Sequence, residues 1–371
     1  MGFPSAKGRG FSSVPSISVL MPFRDAREWI GDAIESLLAQ DESDWELLAV
    51  DDGSDDGSAE TVSALLRKDP RVRLLSARTR GLVAALNTGL AAARGEFVAR
   101  IDADDICDTR RLSLQRRALE SDASLFAVCC RVRAFPRAFV SDGIQRYLDW
   151  QNSLIDPAEL WLERFIECPV LHPTVTMRTA VLRSTLGGWR DVSWPEDWDL
   201  FLRAFEKGLR ISRLPDFLYH WRLHPRQSWR TMERYSLASF ARARAHYLAR
   251  FLAGNGGRLQ RRGGRRLFPA REGVLRPWIM GSGPIGKALA RALADAGCEI
   301  HGFADVDARK AGGLVHYRHW RWPVLSMSDF EALSTPGFAL AAVGQAGARE
   351  RIRDWLNERH WREGLDFLVA A

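Results

Sequence analysis

Between Ile17 and Ile101 the chain sets four short apolar runs between stretches of helical period, and acidic residues gather where two of those runs end. This alternation constrains the fold more than any other feature, because parallel strands joined by crossover helices bury such runs on both faces. The expected strands are Ile17–Met21, Trp45–Val50, Val72–Leu75 and Glu96–Ile101, and the expected helices are Ala26–Gln40, Ser58–Lys68 and Gly81–Arg94. Leu125–Cys130 reads as a further strand, and the Trp-rich stretch Tyr147–Phe165 as an inserted helical segment with Trp150 and Trp161 in the core. A long helix is expected over Met232–Leu252.

The stretch 253–273 is rich in Gly and clustered Arg, the composition of a linker. From Val274 a fresh strand, Gly turn and helix begin. The expected organisation is therefore an α/β domain over 14–252, a linker over 253–273 and a smaller α/β domain over 274–371. A chain of 371 residues is long enough for two cores.

Lys plus Arg number 53 against 46 Asp plus Glu, a formal charge of +7, with the two signs interspersed. That pattern argues against a dedicated nucleic-acid binder. The five Cys, at 107, 129, 130, 168 and 298, are odd in number and contain no C-x-x-C pair, so they suggest neither a disulfide framework nor a thiolate zinc site, and a reducing cytoplasm fits best. The apolar stretch after Val14 is cut by Pro15 and Pro22 and lacks the form of a signal peptide, and no apolar run approaches the roughly 20 residues that span a bilayer. The expected location is cytoplasmic. A peripheral contact at the cytoplasmic face stays open through Arg258–Arg266 and Arg242, Arg244 and Arg250, as does a homo-oligomer.

Three acidic clusters carry the chemistry. Asp51-Asp52-Gly53-Ser54 follows a strand, where ligands of open α/β sheets bind, although an acidic helix start would give the same pattern. In Asp102-Ala103-Asp104-Asp105, alternate residues of an extended segment share a face, so Asp102 and Asp104 can converge on one hard cation, Mg²⁺ or Mn²⁺. In Pro195-Glu196-Asp197-Trp198-Asp199 the acids suit the first turn of a helix, and one of them could serve as a general base.

Taken in order, these residues resemble the inverting family 2 glycosyltransferases of GT-A fold, over roughly residues 14 to 230. The likeness rests on Ser18–Pro22, Val50–Ser54, Ala85–Gly89, Gly95–Asp105, Leu171–Val175, Gly187–Trp189, Glu196–Leu200 and Tyr219–His224. It implies that Pro22 and Arg24 line the nucleobase pocket, that Asp52 accepts a hydrogen bond from the base, and that Arg80 lies near base or phosphates. It further implies that Asp102 and Asp104 are the Asp-x-Asp pair, with Asp104 the more direct metal ligand, and that Asp197 is the catalytic base. His224 would be a third metal or diphosphate contact, with a surface histidine on a loop as the open alternative and His220 competing for the same role; His172 reads as structural. The implied reaction moves a sugar from a nucleotide-diphosphate donor, a UDP-sugar first, to a hydroxyl of a saccharide, lipid-linked or protein acceptor. Phe23-Arg24-Asp25 departs from the family's aromatic-Asn pair at this point.

In the last domain Gly281, Gly283 and Gly286 form G-x-G-x-x-G after a strand, and Asp305 ends the next strand, the context of a dinucleotide fingerprint. The segment resembles the small Rossmann-like domains that precede some sugar acyltransferases. NAD or another nucleotide is its expected ligand if it binds one. The alternatives are a bifunctional nucleotide-sugar enzyme with an NAD-binding C-terminal domain, and a non-catalytic scaffold.

Overall fold

A computed structural model describes residues 14–67, 69–254, 274–334, 337–344 and 347–370. The chain divides into two compact units. The first holds the described residues up to Asn152 with Leu171–Trp189 and Leu214–Leu223. Its strands are β1 (Ile17–Phe23), β2 (Trp45–Asp51), β3 (Val72–Ser76), β4 (Phe97–Arg100), β5 (Ile106–Cys107), β6 (Leu125–Phe135), β7 (Thr176–Arg178) and β8 (Arg210–Arg222), whose last part belongs to this unit. They form one sheet in the order β3-β2-β1-β4-β7-β6-β8-β5.

β1, β2, β3 and β4 are parallel, with Phe23 opposite Asp51 and Leu20 opposite Arg100, so their carboxyl ends open on one edge. β1 is buried along its whole length. Its odd-numbered residues Ile17, Val19 and Met21 pack in one core with Ile30, Ala33, Ile34 and Leu37 of the helix Ile30–Leu38, the i, i+3, i+4, i+7 stripe of an amphipathic helix. On the other face the helix Leu82–Ala92 lies so close that a Cβ on Gly89 would stand 3.1 Å from Leu20 Cγ. Both faces of the parallel half are thus covered, as continuous apolar strands require. The other half is antiparallel: β4 pairs with β7, β7 with β6, and β5 with β8.

The opposite edge is closed by an ion cluster. Glu46, 1% exposed, accepts from Ser18 Oγ at 2.8 Å and pairs with Arg73 at 2.9 Å and Arg94 at 2.8 Å. Burial alone would raise its pKa, but the donors from Arg94, Ser18 and Arg73 outweigh it and hold the carboxyl below its usual range.

The second unit holds Ser153–Val170, Arg190–Arg213 and residues from His224 onward. Its sheet has strands β9 (Pro277–Met280), β10 (Gly302–Asp305), β11 (Leu314–Tyr317), β12 (Trp320–Ser326), β13 (Phe338–Ala341) and β14 (Phe367–Val369) in the order β11-β12-β10-β9-β13-β14. All neighbours are parallel except the β11–β12 hairpin. The helices Pro157–Glu163, Glu196–Glu206 and Leu237–Leu252 belong to the same unit. Phe251 joins Trp161, Phe165 and Phe338 at ring separations of 6.2, 6.2 and 6.0 Å, and Arg353 pairs with Glu163 at 2.5 Å and Glu363 at 2.8 Å.

The first helix is shorter than expected, Ile30–Leu38, and two further boundaries differ for reasons of capping. The last long helix starts at Leu237 rather than Met232, because Ser236 Oγ accepts from the Ser239 N–H and fixes the first turn there. The Trp-rich insert is two helices, Asp142–Ser153 and Pro157–Glu163, separated where Asp156 and Glu159 form a capping box before Pro157. Beyond Gly254, the expected linker and Arg258–Arg266 lie outside the described residues.

Candidate active site

The carboxyl edge of β1 and β2 gathers the residues expected around a nucleobase. Pro22 is buried in β1 and Arg24 is exposed just beyond it. Asp52 donates its N–H to Phe23 O at 2.9 Å and accepts the Gly81 N–H at 2.6 Å on Oδ1. Gly53 turns with φ +81°, and a Cβ there would stand 3.1 Å from Arg80 Nε, so the guanidinium lies directly over the glycine. A side chain at 53 would be strained and would displace Arg80. Asp51 closes the turn by accepting Ser54 N–H at 2.9 Å and Ser54 Oγ–H at 2.7 Å.

The turn after β4 concentrates negative charge. Asp102, Asp104 and Asp105 each place a carboxylate oxygen within 4.8 Å of the others. Arg100, 3% exposed, pairs with Asp102 at 2.6 Å. Asp105 is fully buried: Oδ2 accepts the Tyr219 hydroxyl at 2.7 Å, and Oδ1 accepts the Arg222 N–H at 2.7 Å. Burial, and then the charges of Asp104 and Asp102, hold the Asp105 carboxyl well above its usual range. Depth in the turn likewise raises Asp102, opposed by Arg100 and reinforced by Asp104.

The donor set is three carboxylates, hard oxygen ligands of the kind that suit Mg²⁺ or Mn²⁺. Asp102 and Asp104 are the half-buried pair, whereas Asp105 turns inward. The chain therefore fits a divalent cation through Asp102 and Asp104, with Asp105 behind them.

His172 and Trp189 lie in the same unit. Burial, and then the nearby charge of Arg100, depress the His172 pKa well below its usual value, so the neutral ring accepts Trp189 Nε1–H at 3.0 Å. Asn87 clamps the glycine turn before Trp189 from both sides, donating to Trp189 O at 2.9 Å and accepting Trp189 N–H at 3.0 Å. These contacts are structural in character: they fix a loop on the helix Leu82–Ala92. His220, in β8 opposite Ile106, sets its ring edge-on to Phe135.

In the second unit three carboxylates start the helix Glu196–Glu206, and their partners separate them. Glu196, 2% exposed, accepts the Tyr235 hydroxyl at 2.9 Å. Asp199, 1% exposed, accepts from Trp194 Nε1, Tyr247 Oη and Arg203 Nε at 3.1, 2.6 and 2.7 Å. Asp197 is the half-buried member, with Oδ1 on the Trp198 N–H at 2.7 Å. His224 is 8% exposed, and its Nδ1 accepts the Arg226 N–H at 3.2 Å. Arg244 points inward to the carbonyls of Phe165 and Ile166 at 2.7 and 2.6 Å, so it is not a surface charge. Arg250 pairs with Glu206 at 2.6 Å.

The Gly281–Gly286 turn sits between β9 and the helix Pro284–Asp295. A Cβ on Gly286 would overlap Gly281 O at 1.8 Å, which accounts for that glycine by packing alone. Asp305 at the end of β10 is engaged by this chain: Oδ2 accepts from Ser282 N–H at 2.8 Å, Ser282 Oγ at 2.5 Å and Lys310 Nζ at 3.0 Å, and Oδ1 accepts from Asp307 N–H at 2.9 Å. Against the cost of burial, these donors lower its pKa to about 2. An acid that is to meet a ribose diol needs lone pairs to offer; here Oδ2 takes three donors and Oδ1 one.

Residues 18–185 match the Glycosyl transferase family 2. The chain is 33% identical to the glycosyltransferase EpsE of Bacillus subtilis over 213 residues, 56% of this chain and 73% of that one. It is 26% identical to EpsJ of the same organism over 57% of this chain and 62% of its relative. The fold is similar to that of S. aureus TarS 1-349, determined in complex with UDP-GlcNAc, at a TM-score of 0.51 and 20% identity over 64% of this chain and 72% of that one. The chain belongs to glycosyl transferase family 2. It is a glycosyltransferase with a mixed α/β sheet, and among the described residues no helix is long and apolar enough to cross a membrane.

Sequence reasoning did not assign roles to Asp105, Arg100, Tyr219 or Arg222. Tyr219 and Arg222 lie 114 and 117 residues from Asp105 in sequence, and nothing local pairs them.

Proposed function

We propose that this chain is an inverting transferase that moves a sugar from a nucleoside-diphosphate donor, a UDP-sugar first, to a hydroxyl of a saccharide, lipid-linked or protein acceptor. The observation that carries this reading is the acidic turn at the end of β4, where two half-buried carboxylates stand over a third that is fixed from behind. The GT-A fold class is the one whose architecture this arrangement suits. Pro22, Arg24, Asp52 and Arg80 would receive the nucleoside at the edge of β1 and β2.

Asp104 and Asp102 would hold Mn²⁺ or Mg²⁺, with His224 as a third contact. When bound, the cation supplies positive charge against the leaving diphosphate. Asp197 is the base: it takes the proton of the acceptor hydroxyl as that oxygen bonds to the anomeric carbon. The bond from that carbon to the diphosphate oxygen breaks, the diphosphate leaves with the electron pair, and configuration inverts. Glu196 and Asp199 are unsuited to this step because their oxygens are buried and committed to Tyr235 and to Trp194, Tyr247 and Arg203.

In this reading the stretch over 274–371 is a Rossmann-like domain that serves as a packing body rather than an NAD site, which the four donors on Asp305 support. The test is release of nucleoside diphosphate from a panel of nucleotide sugars by the wild type and Asp197→Asn. Turnover should fall about 10²–10⁴-fold in the variant with donor binding retained. Wild-type turnover in Asp197→Asn would overturn the assignment of the base.

A further inference from the structure

We propose that Tyr219 is a positioning residue for the cation site, and that the Tyr219–Arg222 end of β8 is the template that sets the spacing of Asp102 and Asp104. The inference rests on the metal reading above and goes beyond it by naming what shapes the site. One phenolic oxygen serves both ends of the acidic turn: Tyr219 Oη accepts the Asp102 N–H at 3.1 Å and donates to Asp105 Oδ2 at 2.7 Å. A hydroxyl can do both at once, because it has one proton and two lone pairs.

Arg222, on the same strand, adds three more ties. Its N–H meets Asp105 Oδ1 at 2.7 Å, its Nε donates to Asp104 O at 2.7 Å, and its outer nitrogen reaches Asp32 at 2.9 Å. The turn then runs straight into β5, whose Ile106 and Cys107 pair with His220 and Tyr219 of β8. Every residue of the turn that bears a carboxylate is thus bonded to β8 through a backbone or side-chain atom.

Rigidity here has a physical purpose. Three carboxylates with oxygens within 4.8 Å repel one another, and a turn free to relax would spread them. Donors behind the turn hold the spacing before any cation arrives, so binding does not have to order the loop. Tyr219 is itself fully buried, and the Arg111 guanidinium lies 5.0 Å from its ring centroid. Arg111 in turn donates to Arg100 O at 2.7 Å, which ties the end of β4 to the same frame.

The experiment is titration of the full chain with Mn²⁺ alone, following free Mn²⁺ by electron paramagnetic resonance, for the wild type, Asp104→Ala, Tyr219→Phe and Arg222→Met. Tyr219→Phe keeps the ring and its packing and removes only the oxygen. Loss of a group that orients metal ligands typically weakens metal affinity about 10–100-fold, and that is the loss expected for Tyr219→Phe. Arg222→Met keeps an unbranched apolar stem, removes the guanidinium whose Cζ lies 4.7 Å from the Phe135 ring centroid, and should weaken Mn²⁺ binding in the same direction. Tyr317→Phe, which removes an exposed hydroxyl bonded to Asp295, should bind as the wild type does.

If Tyr219→Phe and Arg222→Met bind Mn²⁺ as the wild type does while Asp104→Ala does not, the positioning role is wrong and the metal reading stands. If the wild type itself binds no Mn²⁺, the metal reading fails and takes this inference with it. Should Tyr219→Phe lose its cooperative thermal transition, Arg222→Met decides the matter by the same criterion.

Discussion

β4 and β10 present a comparison within one chain. Each is a short buried strand of a parallel array, each is followed by carboxylates at its carboxyl end, and each stands where open α/β sheets bind ligands. After β4 three acids share one turn: Arg100 meets Asp102, β8 meets Asp105, and the turn gathers three carboxylates within 4.8 Å. After β10 a single acid has four donors from its own surroundings. The carboxyls shift in opposite directions: burial, and then the charges of Asp104 and Asp102, hold Asp105 well above its usual range, whereas its donors outweigh burial and bring Asp305 to about 2. A carboxylate at a strand end is therefore not a site in itself; the balance between it and its neighbours decides whether it waits for a ligand or locks a turn.

The comparison can be broken at several points. The largest stability effect is expected for Asp105→Ala, which leaves the Tyr219 hydroxyl and the Arg222 N–H without their acceptor inside the fold. The cost is about 3 kcal/mol, read as a lower urea midpoint at unchanged slope. Asp305→Asn comes next and carries a pH signature. Its folded carboxyl titrates near 2, below the unfolded value, so its contribution is complete above about pH 4 and is lost as pH falls from 4 toward 2. The shift corresponds to about 2 kcal/mol, and chemical denaturation from pH 6 to pH 2.5 should show that wild-type slope flattened in the variant. Nucleoside-diphosphate binding by Asp305→Asn should equal that of the wild type.

Gly188→Ala tests the loop clamp. A Cβ there would lie 2.4 Å from Asn87 Oδ1 at a φ of +73°, so the variant must strain its backbone or release the Trp189 N–H. A loss of about 1–2 kcal/mol in thermal stability is expected. The smallest effect belongs to Asp32→Ala, which removes the exposed partner of Arg222 and should cost under about 0.5 kcal/mol. A larger loss would mean that Asp32 shares in holding the acidic turn.

Much of the parallel half was legible in the sequence. β1, β2, β3 and β4 fall within two residues of the runs expected for them, because continuous apolar strands between amphipathic helices leave few other arrangements. β5 and β7 escaped for want of length: two and three residues carry no period, and antiparallel pairing with β8, β4 and β6 supplies their structure. β8 escaped because Arg, Pro and Asp interrupt its alternation.

At the site, motif order marked Asp102, Asp104 and Asp197, and it set Asp52 and Arg80 together before the turn geometry did. What it could not mark is partnership. Tyr219 and Arg222 stood inside a recognisable stretch, yet their bonds to Asp105 and Asp104 depend on sheet order rather than on spacing. The glycine turn is a different case: its spacing matches a dinucleotide fingerprint, and Lys310 and Ser282 both donate to Asp305 at the end of the next strand.

The central claim, that ligand chemistry belongs to the turn after β4 and not to the turn after β9, is tested most directly by calorimetric titration of UDP, GDP, dTDP and NAD, with and without Mn²⁺, into the wild type, Asp104→Ala and Asp305→Asn. The account predicts Mn²⁺-dependent binding of one nucleoside diphosphate that is lost in Asp104→Ala and intact in Asp305→Asn, with no heat from NAD. Binding of NAD that disappears in Asp305→Asn, with no nucleoside diphosphate bound by the wild type, would contradict it.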